Sequence, residues 1–198
     1  MNVLIAGATG HTGRRLLDEV LARGHHPIAL VRESSDTDDL PDAVELRRGD
    51  LTDLPADVCR GCDAVVFAAG SGSSTGPEMT DAVDRDGAIR LVDLAESEGV
   101  DRFVMLSSFG AGDPDPDSSI GHYLQAKHDA DEHLQRSSLD YAILRPVRLT
   151  DDDGNREVIV GEAVNPDGTA ARGDVAALLA HALEEPDWVG AVLLMQSA

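Results

Sequence analysis

The chain of 198 residues carries 37 Asp and Glu against 16 Lys and Arg, a formal net charge of −21. Such a surface repels nucleic acid and anionic membranes, which argues against a partner of either kind and leaves small molecules as the expected ligands. One core fits this length with no room for a second, no run approaches the ~18 apolar residues of a membrane span, and Met1 leads straight into an apolar strand; the expectation is a cytoplasmic protein with one domain over residues 1–198.

In chain order, apolar runs alternate with amphipathic segments, the pattern of a parallel sheet wrapped by helices. Val3–Ala6 reads as the first strand. After the glycine loop Gly7-Ala8-Thr9-Gly10-His11-Thr12-Gly13, the residues Leu16, Leu17, Val20 and Leu21 recur at helical spacing, with Gly24 placed as a C-cap. Further strands are expected over 27–31, 44–46 and 64–68, the last apolar throughout and therefore buried on both faces. A polar loop at 71–79 precedes a helix over about 80–98, a strand over 102–106 and a second polar loop at 110–119. A helix over about 120–136 and a strand over 141–144, stopped by Pro146, follow. The remainder, 147–198, is expected to supply small elements on the substrate side: an acidic turn at 151–153, a strand at 158–160, a helix over about 174–184 and a strand over 191–195. The fold class expected is α/β, a Rossmann-type, doubly wound, mostly parallel sheet with helices on both faces.

Glycines between a buried strand and an amphipathic helix permit a tight turn and close approach of the backbone to a pyrophosphate, while the helix N-terminus attracts the anion. The loop from Gly7 to Gly13 stands in that context, against the alternative of a purely structural turn. The second strand ends Val31-Arg32-Glu33. Arg32 suits the 2′-phosphate of NADP, whereas Glu33 would accept a bond from the ribose of NAD; NADP is favoured and NAD stays open. Asp50 and Leu51 stand where they could flank an adenine ring, and the small residues Ala68, Ala69 and Gly70 would let a cofactor cross the sheet edge. Cys59 and Cys62 form a CxxC without a second ligand pair, so they read as packing residues and no metal is proposed.

Lys127 is the only lysine of the chain and follows Tyr123 by four residues, on one face of a helix. An unperturbed phenol titrates near ~10, and a neighbouring ammonium favours its ionised form, so the pair suits proton transfer. The fifth strand ends in Ser107-Ser108, where Ser108 could donate to a carbonyl oxygen as charge develops on it. A solvated helix face and an ordinary turn are the alternatives.

Together, GATGHTG, the Val31-Arg32 pair, Gly49-Asp50-Leu51, Phe103–Ser108, the YxxxK spacing and Leu144-Arg145-Pro146 resemble the short-chain dehydrogenase/reductase superfamily. The chain is most similar to its small atypical branch, the NAD(P)H-binding or NAD-dependent epimerase/dehydratase-like proteins related to biliverdin-IXβ/flavin reductases. The resemblance implies Gly7, Gly10 and Gly13 on the pyrophosphate, with Thr9, His11 and Thr12 beside them. It further implies Arg32 on the adenosine phosphate, Asp50 on adenine, Ser108 and Tyr123 as the catalytic pair, Lys127 on the nicotinamide ribose and Pro146 near the nicotinamide. Three activities follow as expectations: hydride exchange between NADP(H) and a carbonyl or conjugated substrate, an epimerase or dehydratase that reoxidises its cofactor, and a cofactor-sensing regulator without turnover. Monomer and homodimer are both compatible with the sequence, and the acidity is read as adaptation to a high-salt cytoplasm.

Overall fold

Side chains of a strand alternate between the two faces of its sheet, so a sheet covered on both sides needs apolar residues at every position. In the computed structural model, which describes residues 1–72 and 75–198, the central strands meet that demand. Val3 and Ile5 of β1 (Asn2–Ala6) join one core cluster, while Leu4 and Ala6 join the other. The same division splits β2 (His26–Val31), β4 (Ala64–Phe67), β5 (Arg102–Leu106) and β6 (Asp140–Pro146). Helices α1 (His11–Ala22) and α5 (Arg172–Ala182) cover the first face; α3 (Asp86–Ser97) and α4 (Gly121–Arg136) cover the second.

With β3 (Glu45–Arg48), β8 (Val158–Val160) and β10 (Ala191–Ser197), the eight strands run in the order β3-β2-β1-β4-β5-β6-β10-β8. All neighbours pair in parallel except β8, which lies antiparallel on β10 at the edge. The order reverses between β1 and β4, and that switch point is where ligands of doubly wound sheets bind. Chain reversal at β1 therefore creates the groove, and the glycine loop forms one of its walls.

The expected elements are present with three differences. Strand β6 includes Pro146 instead of ending before it, because a proline at the last position of a strand forfeits little of the ladder. The helix expected over 80–98 is irregular: a single turn α2 (Pro77–Met79) leads into a π-helical stretch, Thr80–Arg85, before α3 begins. Residues 148–150 and 169–171 form a two-stranded parallel sheet, β7 and β9, that the sequence pattern did not disclose. At three residues each, these strands are too short to show a period. Cys59 and Cys62 are unpaired thiols within the second core cluster, and burial pushes Cys59 up to about 12.

Candidate cofactor and active site

The glycine loop is tight because backbone packs directly on backbone. Gly7 has φ +86°, and a Cβ there would stand 2.7 Å from the Ala68 carbonyl. At Gly13 a Cβ would stand only 2.0 Å from the Gly7 oxygen, so α1 can press against the end of β1 only as glycine. Gly10 is the N-cap of α1 and offers no side-chain cap, leaving the amides of the first helical turn directed at the groove mouth.

Gly7, Thr9, Gly10, Arg32, Asp50, Leu51, Ala68, Ala69 and Gly70 line one groove of about 480 Å³, together with Leu30, Ser35 and Ser71. The sequence expectation named nine of these residues from four separate stretches of chain, and the strand order brings them together. At its outer end Arg32, Glu33, Ser34, Arg48, Gly49 and Asp50 surround a second hollow of about 380 Å³. No bond engages the Arg32 guanidinium among the described residues, while Arg48 Nη1 donates to the Arg32 carbonyl at 2.9 Å. Asp50 spends one oxygen on the turn that follows, accepting from Thr52 N at 2.9 Å and Thr52 Oγ1 at 2.7 Å. Those two bonds, with Arg32 nearby, hold its carboxyl below the ordinary aspartate range.

Five expected contacts lie outside the groove lining: Gly13, which packs on Gly7; Lys127, described below; and His11, Thr12 and Pro146. His11 is exposed with Nδ1 3.2 Å from Asp151 Oδ1, Thr12 Oγ1 accepts from Arg172 Nη1 at 3.2 Å, and Pro146 is buried at the end of β6. Arg172, at the start of α5, thereby ties the C-terminal segment to the glycine-loop helix. The polar loop at 71–79 begins at the groove, with Ser71, Thr75 and Met79 on its wall; 73–74 lie outside the described residues.

The ends of β4 and β5 meet α4 at a second, buried polar centre. Lys127 is 3% exposed, and its Nζ donates to the carbonyls of Ala69 at 3.3 Å and Leu106 at 3.4 Å. Its third direction faces Asp84 Oδ1 at 3.2 Å, an ion-pair contact outside hydrogen-bond geometry. The ammonium lies 5.3 Å from the Phe67 ring centre and 5.9 Å from that of Tyr123. Burial opposes its charge, but the attraction of Tyr123, Asp84 and Asp131 together outweighs burial and holds Lys127 above the ordinary lysine range. The resemblance puts Lys127 on a ribose; two of its donors bond the carbonyls of Ala69 and Leu106.

Ser107 and Ser108 divide their work. Ser107 is buried and donates to Asp131 Oδ2 at 2.7 Å, and Arg145 Nε bonds the same oxygen at 2.9 Å. Burial nevertheless pushes the Asp131 carboxyl up, against those bonds. Ser108 is half-buried and, among the described residues, its Oγ reaches only the Phe109 carbonyl, at 3.3 Å, so it is the serine able to turn to a ligand. Tyr123 is half-buried, with no hydrogen bond to its hydroxyl among the described residues.

Sequence reasoning missed Asp84, Asp131 and Arg145. The available signal was a charge inside an apolar stripe: Asp84 shares helical spacing with Ala88 and Leu91, and Lys127 and Asp131 share it with Leu134.

This is the site of a dinucleotide-binding Rossmann protein, and its donor set fits such a ligand: a glycine cradle with no room for a Cβ at Gly7 or Gly13, uncapped helix amides, a groove across the switch point and, at its outer end, the Arg32 guanidinium, unengaged among the described residues. The chain belongs to the NAD(P)H-binding family, whose profile matches residues 7–186, and that family is one of NAD(P)-dependent oxidoreductase- and epimerase-like proteins. It is 35% identical over 191 residues to a Bacillus subtilis (strain 168) protein named as an uncharacterized sugar epimerase, YhfK, covering 93% of this chain and 89% of that one. A Bacillus halodurans structure described as a candidate NAD-dependent epimerase/dehydratase superposes with TM-score 0.94 at 36% identity, covering 100% of this chain and 94% of the other. The anaerobillin reductase ChuY of Escherichia coli O157:H7 superposes with TM-score 0.80 at 27% identity, covering 100% and 97%.

Proposed function

We propose that the protein is an NADP-dependent oxidoreductase that exchanges hydride with a small carbonyl or conjugated substrate, with Tyr123 as proton relay. One observation carries this reading: the ring of Tyr123, whose hydroxyl has no hydrogen bond among the described residues, lies 5.9 Å from the buried Lys127 ammonium, which bonds the carbonyls of Ala69 beyond β4 and Leu106 at the end of β5. A bound nicotinamide supplies or accepts the hydride. Tyr123 holds the proton that balances it, and Ser108 donates to the substrate oxygen as charge builds there. Arg32 meets the 2′-phosphate with a charge-assisted bond, which supports NADP over NAD. Substrate contacts are assigned to the loops at 71–79, 110–119 and 147–156, of which the first lines the groove through Ser71, Thr75 and Met79.

The test is titration of the protein with NADPH and NADH, followed by fluorescence in high salt, for wild type and Arg32→Ala. The expected result is a preference for NADPH that Arg32→Ala reduces about 10- to 100-fold, the worth of one hydrogen bond to a charged group. Equal or NADH-favoured binding would return the ribose to Glu33, and absence of binding to either would sink the proposal.

A second reading, an epimerase or dehydratase, is favoured by the names of the B. subtilis and B. halodurans relatives. Its mark would be turnover without net consumption of added NADPH. In a third, cofactor sensing without turnover, Tyr123→Phe would leave function intact.

A further inference from the structure

We propose that Asp84 is the positioning residue of this site: its ion pair with Lys127 clamps the exits of β4 and β5 and so fixes the edge of the groove. The inference rests on the reading of the groove as a dinucleotide site and concerns what keeps it in shape.

Four observations converge on it. Asp84 is fully buried and comes from the π-helical stretch, where it and Thr80 are the buried residues. Its Oδ1 faces Lys127 at 3.2 Å, and its Oδ2 accepts from Ser71 N at 2.9 Å. The Lys127 ammonium in turn bonds Ala69 O beyond β4 and Leu106 O at the end of β5. Gly70 lies against the carboxylate so closely that a Cβ there would stand 3.1 Å from Oδ1. Two charges thus fasten Ala69, Gly70 and Ser71, all groove-lining residues, to the neighbouring strand.

The widened helical turn then has a purpose: π-turns insert one residue, and here the insertion accompanies a carboxylate turned toward the sheet. The pairing also accounts for the single lysine in a chain rich in arginine. A compact ammonium can bond two carbonyls while standing within ion-pair distance of a carboxylate from a third element, which a planar guanidinium matches poorly.

The charged groups facing Lys127 are Asp84 from the π-helical stretch and Tyr123 and Asp131 from α4; β4 and β5 contribute the Phe67 ring and the two carbonyls. Asp131 is already engaged by Ser107 and Arg145. Without Asp84, burial is opposed only by Tyr123 and Asp131, and in the Tyr123→Phe background by Asp131 alone, so folded Lys127 shifts toward its neutral form. In wild type the folded lysine is held above its unfolded value of ~10.4, so its stabilising effect is complete below that value and lost above the folded one. In Asp84→Asn the order reverses: the unfolded chain binds the extra proton, and stability rises with pH between the lowered folded value and ~10.4.

The experiment compares wild type, Asp84→Asn, Lys127→Met and the double variant by thermal unfolding from pH 6.5 to 10.5 and by NADPH titration, with the series repeated in Tyr123→Phe to remove the phenol's own ionisation. Asp84→Asn is expected to melt several degrees below wild type at neutral pH and to recover as pH rises, a recovery absent once Lys127 is also replaced. The double variant is expected to melt above Asp84→Asn at neutral pH, because removing both charges restores balance. A deficit of Asp84→Asn that is flat with pH overturns the proposal, as does a double variant that melts no higher than Asp84→Asn. So does an Asp84→Asn protein that binds NADPH within about two-fold of wild type at a temperature where both are folded, which would leave the groove edge independent of the pair. The unfolding series needs no cofactor, so failure of wild type to bind NADPH would fall on the proposed function alone.

Discussion

Single side chains, or their absence, decide whether the groove exists. Gly13→Ala would put a Cβ 2.0 Å from the Gly7 oxygen, forcing α1 away from β1. The expected outcome is a loss of about 1–3 kcal/mol in chemical denaturation together with loss of affinity for both dinucleotides. Gly10→Ala, where the same atom would find 3.2 Å, should be milder in both measurements. Tyr123→Phe removes only a hydroxyl; once a substrate is in hand, turnover should fall about 10²- to 10⁴-fold while the dinucleotide affinity stays within about two-fold. At Cys59, burial has raised the thiol to about 12, so little thiolate exists at pH 8. Neither Cys59 nor Cys62 should be alkylated by iodoacetamide in native protein at that pH, and both should react in urea; mass spectrometry reads the difference.

Between elements, buried polar contacts set how the C-terminal part docks. Arg102 begins β5 yet is 7% exposed, because Nε and Nη2 bond the Ala182 carbonyl at 3.0 and 2.6 Å and Nη2 also reaches Glu185 O at 3.2 Å. These bonds close the C-terminus of α5, where helical carbonyls lack partners. Arg102→Met is expected to cost about 2–3 kcal/mol in denaturant unfolding, the scale of hydrogen bonds from a charged donor. Because α5 also carries Arg172 to Thr12, loosening α5 should weaken dinucleotide binding as well.

Over the entire surface, the charge of −21 dominates. Like charges crowded on one body repel, and salt shortens their reach from about 30 Å at 0.01 M to 3 Å at 1 M. The melting temperature should therefore rise from dilute buffer to molar NaCl; a fall would mean that specific ion pairs such as Arg15 with Asp153 outweigh the repulsion. No helix among the described residues is long and apolar enough to cross a membrane.

Much of the fold was legible in the amino-acid order because local rules produce it. The runs at Val3–Ala6 and Ala64–Phe67 can only be strands buried on both faces, and the glycines from Gly7 to Gly13 announce a tight turn into a helix. The groove residues were legible for the same reason: each sits at the carboxyl end of a recognisable strand. Pairs distant in sequence were not. Asp84 with Lys127, and Ser107 with Asp131 and Arg145, meet only because β4, β5 and β6 lie side by side beneath α4, and no local period records such a meeting. Where the Lys127 ammonium is held is decided by that convergence, since a buried ammonium must find compensating oxygens wherever the packed chain supplies them.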